Sequence, residues 1–180
     1  MSIRVSIDAS GGDFGFSVTI NAGISALKTC DDLLINFVGD ETGIKNELNK
    51  NSSYSNFADR IDVTHASEVI NMSDSPSVAL RHKKDSSMRI AINLVKNGDA
   101  DACVSAGNTG ALMSIARFVL KTIKGVDRPA IMSAVPTLTG PTHVLDLGAN
   151  IDSRPSTLLQ FAIMGSIAVQ NTENIENPSV

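Results

Sequence analysis

Three times along the chain a short apolar segment runs directly into a loop of glycine and small polar residues. The loops are Asp8-Ala9-Ser10-Gly11-Gly12-Asp13, Ser105-Ala106-Gly107-Asn108-Thr109-Gly110-Ala111 and Asp146-Leu147-Gly148-Ala149-Asn150. Ahead of the first loop, Ile3, Val5 and Ile7 alternate with Arg4 and Ser6, which is the period of a strand; the glycines then end it in a turn. Helical apolar spacing follows. Strands alternating with helices predict an α/β layered fold, a largely parallel sheet with helices on both faces. Ligands of such sheets bind where loops leave the carboxyl ends of strands, so the three loops are candidates for one crevice.

The same reasoning places the other elements. Ser17 to Leu27 reads as a helix, Leu33 to Val38 as a strand, Gly43 to Lys50 as a short helix and Ile61 to Thr64 as a third strand. Asn51 to Asn56 is a polar loop and Asn71 to Pro76 is turn-rich. Ser77 to Lys84 reads as a helix ending in a basic run. Asp85 or Ser86 is placed to cap the next helix, with Met88, Ala91, Ile92 and Val95 on one face and Gly98 as its stop. Ala102 to Ala106 is a strand, followed by a helix with Ala111, Leu112, Ile115, Ala116, Val119 and Leu120 on its face. Ala130 to Val135 and His143 to Leu147 read as strands. Leu158 to Val169 is apolar nearly all round, which predicts a buried helix. No repeat, low-complexity tract or linker stands out, so residues 1–180 read as one portion of a domain.

Composition narrows the function classes. Hydrophobic residues make up 42% of 180 residues, enough for a real core. Aromatics are 4% with no Trp, which argues against base-stacking platforms, and a net charge of −4 gives no support for nucleic-acid binding. Cys30 and Cys103 are far apart and belong to no zinc-like cluster, so neither a metal site nor a disulfide framework is expected, and a reducing compartment fits. The Leu158 to Val169 tract is too short to span a bilayer and the N-terminus lacks a secretory pattern, so a cytoplasmic protein is expected.

The second glycine loop carries the sharpest chemistry. Gly107 and Gly110 allow close backbone approach, the following helix offers free N–H groups to an anion, and Ser105, Asn108 and Thr109 add neutral donors. This suits phosphate, and it equally suits a tight turn with close helix packing. Dinucleotide and P-loop fingerprints are absent. Asp8, Asp13, Asp146 and Asp152 read as candidate bases or metal ligands, and as ordinary turn residues. Arg81, His82, Lys83, Lys84 and Arg89 concentrate positive charge, either as a docking patch for an acidic partner or as a solvated helix face. His65 and His143 read as structural, and no nucleophile–base arrangement can be assembled.

The segments at these loops resemble a known family, the acyl carrier protein–phosphate acyltransferases of the PlsX type. The resemblance rests on Asp8 to Asp13, Lys83-Lys84-Asp85-Ser86-Ser87-Met88-Arg89, Cys103 to Met113, Arg128-Pro129-Ala130, Asp146 to Asn150 and Gln160 to Gly165, in order along the chain. Departures are Ala9-Ser10, Phe16 and Ser153, where the family usually has a hydrophobic residue with Met, Pro and often Cys. The resemblance implies an isocitrate dehydrogenase and phosphotransacetylase-like fold, a homodimer, no cofactor, and transfer of a fatty acyl group from acyl carrier protein to inorganic phosphate. It implies that the chain is the N-terminal half, and that peripheral membrane association and a basic catalytic residue belong to the other half. On this reading Asn108, Asp146 and Asn150 act in catalysis. Asp8, Gly11, Gly12, Asp13, Ser105, Gly107, Thr109, Gly110 and Gly148 hold substrate, and Arg81, Lys83, Lys84 and Arg89 meet the carrier. The alternatives are a coenzyme A-dependent phosphotransacylase and a non-catalytic carrier-binding remnant.

Overall fold

Alternation at the N-terminus becomes strand β1 (Ile3–Asp8), the middle of everything that follows. The computed structural model describes residues 2–138, 140–148 and 153–180. After β1 come helix α1 (Phe16–Thr29), strand β2 (Leu33–Gly39), helix α2 (Glu41–Lys50) and strand β3 (Ile61–His65). Helices α3 (Pro76–His82) and α4 (Ser87–Asn97) precede strand β4 (Ala102–Ser105) and helix α5 (Thr109–Leu120). The order across the sheet is β3-β2-β1-β4, all parallel. The chain winds outward from β1 through β2 to β3, then returns to lay β4 on the other side of β1. Between β1 and β4 the direction of winding reverses, and that reversal opens a crevice at the strands' carboxyl ends.

Both faces of β2 are covered, which is why Ile35 through Gly39 are buried without alternation. Ile35 and Phe37 pack with Ile20, Ile24 and Leu27 of α1 and Ile44 and Leu48 of α2. Gly23 lets α1 sit this close, because a Cβ there would lie 2.5 Å from the Phe37 ring. On the opposite face Val38 meets Ala91 of α4, and Met88 and Ile92 join Ala111, Ile115 and Val119 of α5. Caps fall where residue type predicts. Asp40 accepts from the Gly43 N–H, Ser86 from Arg89 and Asn108 from Ala111, while Gly98 ends α4 with φ of 83°. Arg60 closes α1, donating to the Leu27, Cys30 and Asp31 carbonyls while its guanidinium lies over Phe57.

The chain divides into two compact units, Met1–Lys121 and Thr122–Val180. No composition shift announces that boundary. The second unit holds strand β5 (Met132–Thr137), strand β6 (Gly140–Leu145) and helix α6 (Pro155–Glu173). Here the expectations differ from the structure in two ways. The two strands form an antiparallel hairpin of their own, since too few residues separate them for a parallel crossover. And α6 is not buried: only Phe161 and Val169 are, while Leu158, Leu159, Ile163 and Ile167 are each more than half exposed. A single hairpin offers one surface to a helix that is apolar on every side.

Candidate functional site

At the β1–β4 crevice the first two glycine loops meet. Asp8 and Ser105 are register partners at the strand ends. The Ser105 hydroxyl donates to Asp8 Oδ2 at 2.7 Å, and its oxygen accepts from the Gly107 N–H at 3.1 Å. The loops touch so closely that only glycine fits. A Cβ on Gly11 would lie 2.5 Å from Asp8 Oδ2 and 3.1 Å from the Gly107 nitrogen, and Gly12 has φ of 87° against Ala106.

Asp8 is 2% exposed. Burial pushes its carboxyl above the ordinary range, and the neighbouring Ser87 and Ser105 hydroxyls and the Gly11 and Ser10 backbone pull it partly back. Ser87 lies near enough to ease the shift, yet among the described residues Oδ1 has no partner in hydrogen-bonding geometry, and neither has the buried Ser10 hydroxyl. A buried acceptor without a donor is costly, and such groups cluster where ligands or protons are handled.

Directly after Gly107 and the cap residue Asn108, α5 begins. Its first turn presents the N–H groups of Thr109 and Gly110, both exposed, and among the described residues neither makes a hydrogen bond. Uncommitted N–H groups at the positive end of a helix favour an anion. Asn108 is differently engaged. Its Oδ1 accepts from the Ala111 N–H at 3.0 Å, and its Nδ2 donates to the Met72 and Asp74 carbonyls at 3.0 and 2.9 Å, with Asn71 at 3.3 Å. The whole carboxamide is turned toward the 71–74 loop and the helix end. Asp13 lies exposed beyond Gly12.

The basic segment is not uniform. Arg81, His82 and Lys84 are exposed. Lys83 instead pairs with Asp74 at 2.6 Å and donates to the Val69 carbonyl at 2.6 Å. Arg89 is half-buried with its guanidinium 5.3 Å from the Phe118 ring centre, which Lys121 also covers at 4.7 Å.

In the second unit Asp146 follows β6 with φ of 68°, and its carboxylate accepts from Ser153 at 3.4 Å. Gly148 has φ of 78° and donates its N–H to the Asp146 carbonyl. Asn150 and Asp152 lie outside the described residues. A concavity of about 690 Å³ lies between β6 and α6, lined by Leu145, Leu158, Phe161 and Val169 among others. Its one titratable side chain, His143, faces Glu173 at 3.6 Å. Among the described residues no group of three or more His, Cys, Asp or Glu is placed to hold a metal, and no helix is long and apolar enough to cross a membrane.

Residues 3–180 match the model of a family described as fatty acid synthesis protein. The chain belongs to that family. It is 64% identical over its whole length to a phosphate acyltransferase of Ruthia magnifica, covering 53% of that relative. The phosphate acyltransferases of Methylococcus capsulatus and Legionella pneumophila strain Paris are 56% and 54% identical over 98% and 99% of the chain, which covers 51% and 52% of each. The chain thus spans about half the length of these relatives.

Of the residues expected at the site of this family member, the structure brings Asp8, Gly11, Gly12, Ser105, Gly107, Thr109 and Gly110 together at one sheet edge. Asp146 and Gly148 belong to the second unit. Asp74 and Ser87 escaped the sequence reading. Each looks like an ordinary turn or cap residue, and the one available signal was that Asp74 is an acid near a lysine run.

Proposed function

We propose that the protein carrying this chain is an acyltransferase that moves a fatty acyl group from acyl carrier protein to inorganic phosphate, yielding acyl phosphate for phospholipid synthesis. The observation that carries this reading is the open first turn of α5, with free Thr109 and Gly110 N–H groups in the loop that leaves β4 at the β1–β4 reversal. The relatives, phosphate acyltransferases by name, suggest the chemistry: an acyl group and phosphate.

In this mechanism phosphate rests on the α5 turn, held by those N–H groups and the Thr109 hydroxyl. One phosphate oxygen attacks the thioester carbonyl carbon. A C–O bond forms, the C–S bond breaks, and the carrier thiolate leaves and takes up a proton. Positioning the two anionic partners and meeting the transient oxyanion are the chief tasks. Ser105 and Asp8 hold the Gly107 peptide in place, and Asn108 fixes the turn through its cap rather than by reaching outward. Asp13 is proposed to serve the same loop, Asp146, Gly148 and Asn150 are proposed to take part in the reaction, and the enzyme is proposed to work as a cytoplasmic homodimer. Arg81 and Lys84, the exposed cations, suit an acidic carrier protein, with Arg89 behind them.

The test is formation of acyl phosphate, trapped with hydroxylamine, by the full-length enzyme that contains this chain. Long-chain acyl carrier protein is compared with acyl coenzyme A, each with and without phosphate. Phosphate-dependent product from the carrier thioester is expected; product from coenzyme A alone, or none that needs phosphate, overturns the reading.

A further inference from the structure

Lys83 sits in the middle of a basic run, yet its ammonium faces inward. It bridges Val69, ahead of the 70–75 turn, and Asp74 within it. The pair is mostly screened from solvent, at 22% and 18% side-chain exposure. The ammonium beside Asp74, helped by the Asn71 N–H, holds that carboxyl below the ordinary range. Asp74 Oδ2 accepts from the Asn71 N–H at 2.8 Å, so one carboxylate ties both the turn and the lysine.

The backbone of this turn then faces α5. The Met72 and Asp74 carbonyls take the Asn108 N–H groups, and the other end of the same carboxamide caps α5 at Ala111. Pro76 lies against Gly110, with its Cγ only 3.0 Å from where a Cβ would stand. The flanks are stapled as well. Asp85 takes a hydrogen bond from the Ser67 N–H at 3.0 Å and another from the Ser67 hydroxyl, and Glu68 takes one from the Asp85 N–H at 2.8 Å. A continuous path therefore runs from Lys83 through Asp74 and Asn108 to the first turn of α5, and the Gly107 peptide just ahead of that turn is held through Ser105 to Asp8.

We infer that Lys83 and Asp74 are positioning residues for the anion at α5, not part of a docking surface. Resting on the phosphate-loop reading above, this deepens it: the ion pair sets phosphate affinity without touching phosphate. A lysine that docked an acidic partner would present its ammonium to solvent, as Lys84 does. Lys83 has instead given its charge to Asp74.

The experiment uses the full-length enzyme and inorganic phosphate, with no acyl donor, reading affinity by ³¹P line broadening. Lys83→Met and Asp74→Asn are each expected to weaken phosphate binding about tenfold, as small displacements at a positioned site do. The double variant should be no worse than either single change, because both break one link. Lys83→Arg should recover most of the binding, and Lys50→Met, which breaks the pair of an exposed lysine with Glu47 on α2, should leave it unchanged. Hydrogen exchange at 70–75 and 107–112 is read in parallel and should quicken in Lys83→Met while the β1–β2 amides stay protected. Unchanged phosphate affinity with quickened exchange overturns the inference, as does additivity of the two changes. If Lys83→Met does not fold, the Lys83→Arg and Asp74→Asn arms carry the decision. Phosphate binding that responds as expected in an enzyme making no acyl phosphate sinks the acyltransferase reading and leaves the positioning role standing.

Discussion

Strands β2 and β5 show how differently the two units are built. In β2 every residue from Ile35 to Gly39 is buried, with helices against both faces. In β5 every residue from Ser133 to Thr137 is exposed. The helices follow suit: α1 buries Ile20, Ile24 and Leu27 to within 1% exposure, whereas α6, nearly as apolar, leaves Leu159 63% exposed. Apolar sequence is necessary for a core but not sufficient. A side chain stabilises the fold only where a second layer stands opposite it.

The sharpest way to break this comparison is to truncate one large apolar residue in each unit. Phe37→Ala should cost about 3–5 kcal/mol, the range for emptying an aromatic site in a packed core. Leu159→Ala should change stability by no more than about 0.5 kcal/mol. Urea unfolding of both variants checks the pair, and equal losses would mean that α6 is covered as well as α1.

A smaller effect is expected at Arg60, which holds the exit of α1 through several carbonyls. Arg60→Ala should cost about 1–3 kcal/mol, the scale of charge-assisted hydrogen bonds left unmade, with exchange quickening first at the end of α1. Loss spread evenly over the first unit would instead make Arg60 a core residue rather than a cap.

The smallest effect concerns Asp8. Its carboxyl titrates above the ordinary aspartate value of 3.8 because burial disfavours the anion. The folded form therefore holds the proton more tightly than the unfolded one. Stability from this group is fully present below that ordinary value and is lost as pH rises through the folded value. Asp8→Asn should accordingly be at least as stable as the parent near neutral pH, with its relative advantage shrinking as pH falls through the folded value and gone below the ordinary one. Melting temperatures across that range decide it; an asparagine variant that is weaker at neutral pH would show that the Ser105 hydrogen bond outweighs burial.

Much of the first unit was legible because its signals are local. Alternation marks β1, Gly98 marks the end of α4, and Asp40 and Ser86 are residue types that cap helices wherever they precede one. The first two glycine loops were legible as loops, and their meeting followed from strand ends in a parallel sheet. What escaped depends on contacts distant in sequence. The orientation of Lys83 is decided by Asp74, nine residues away on the far side of a helix, and a run of cations reads the same whichever way one of them turns. Asn108 reads as an outward donor until the 71–74 carbonyls are seen to surround it. The exposure of α6 could not be read because apolarity on all sides states what a helix needs, not whether its neighbours provide it.

The reversal of winding between β1 and β4 also has a consequence for synthesis. Asp8 and Ser105 are 97 residues apart. At a translation rate of about 5–20 residues per second, the first strand waits roughly 5–20 s for its partner. During that interval β1, α1, β2, α2 and β3 can assemble from shorter-range contacts, but the hydrogen bond from Ser105 to Asp8 does not yet exist. A ribosome-bound chain of this protein therefore carries three paired strands before Asp8 can meet Ser105, and the two glycine loops come together only when β4 takes its place.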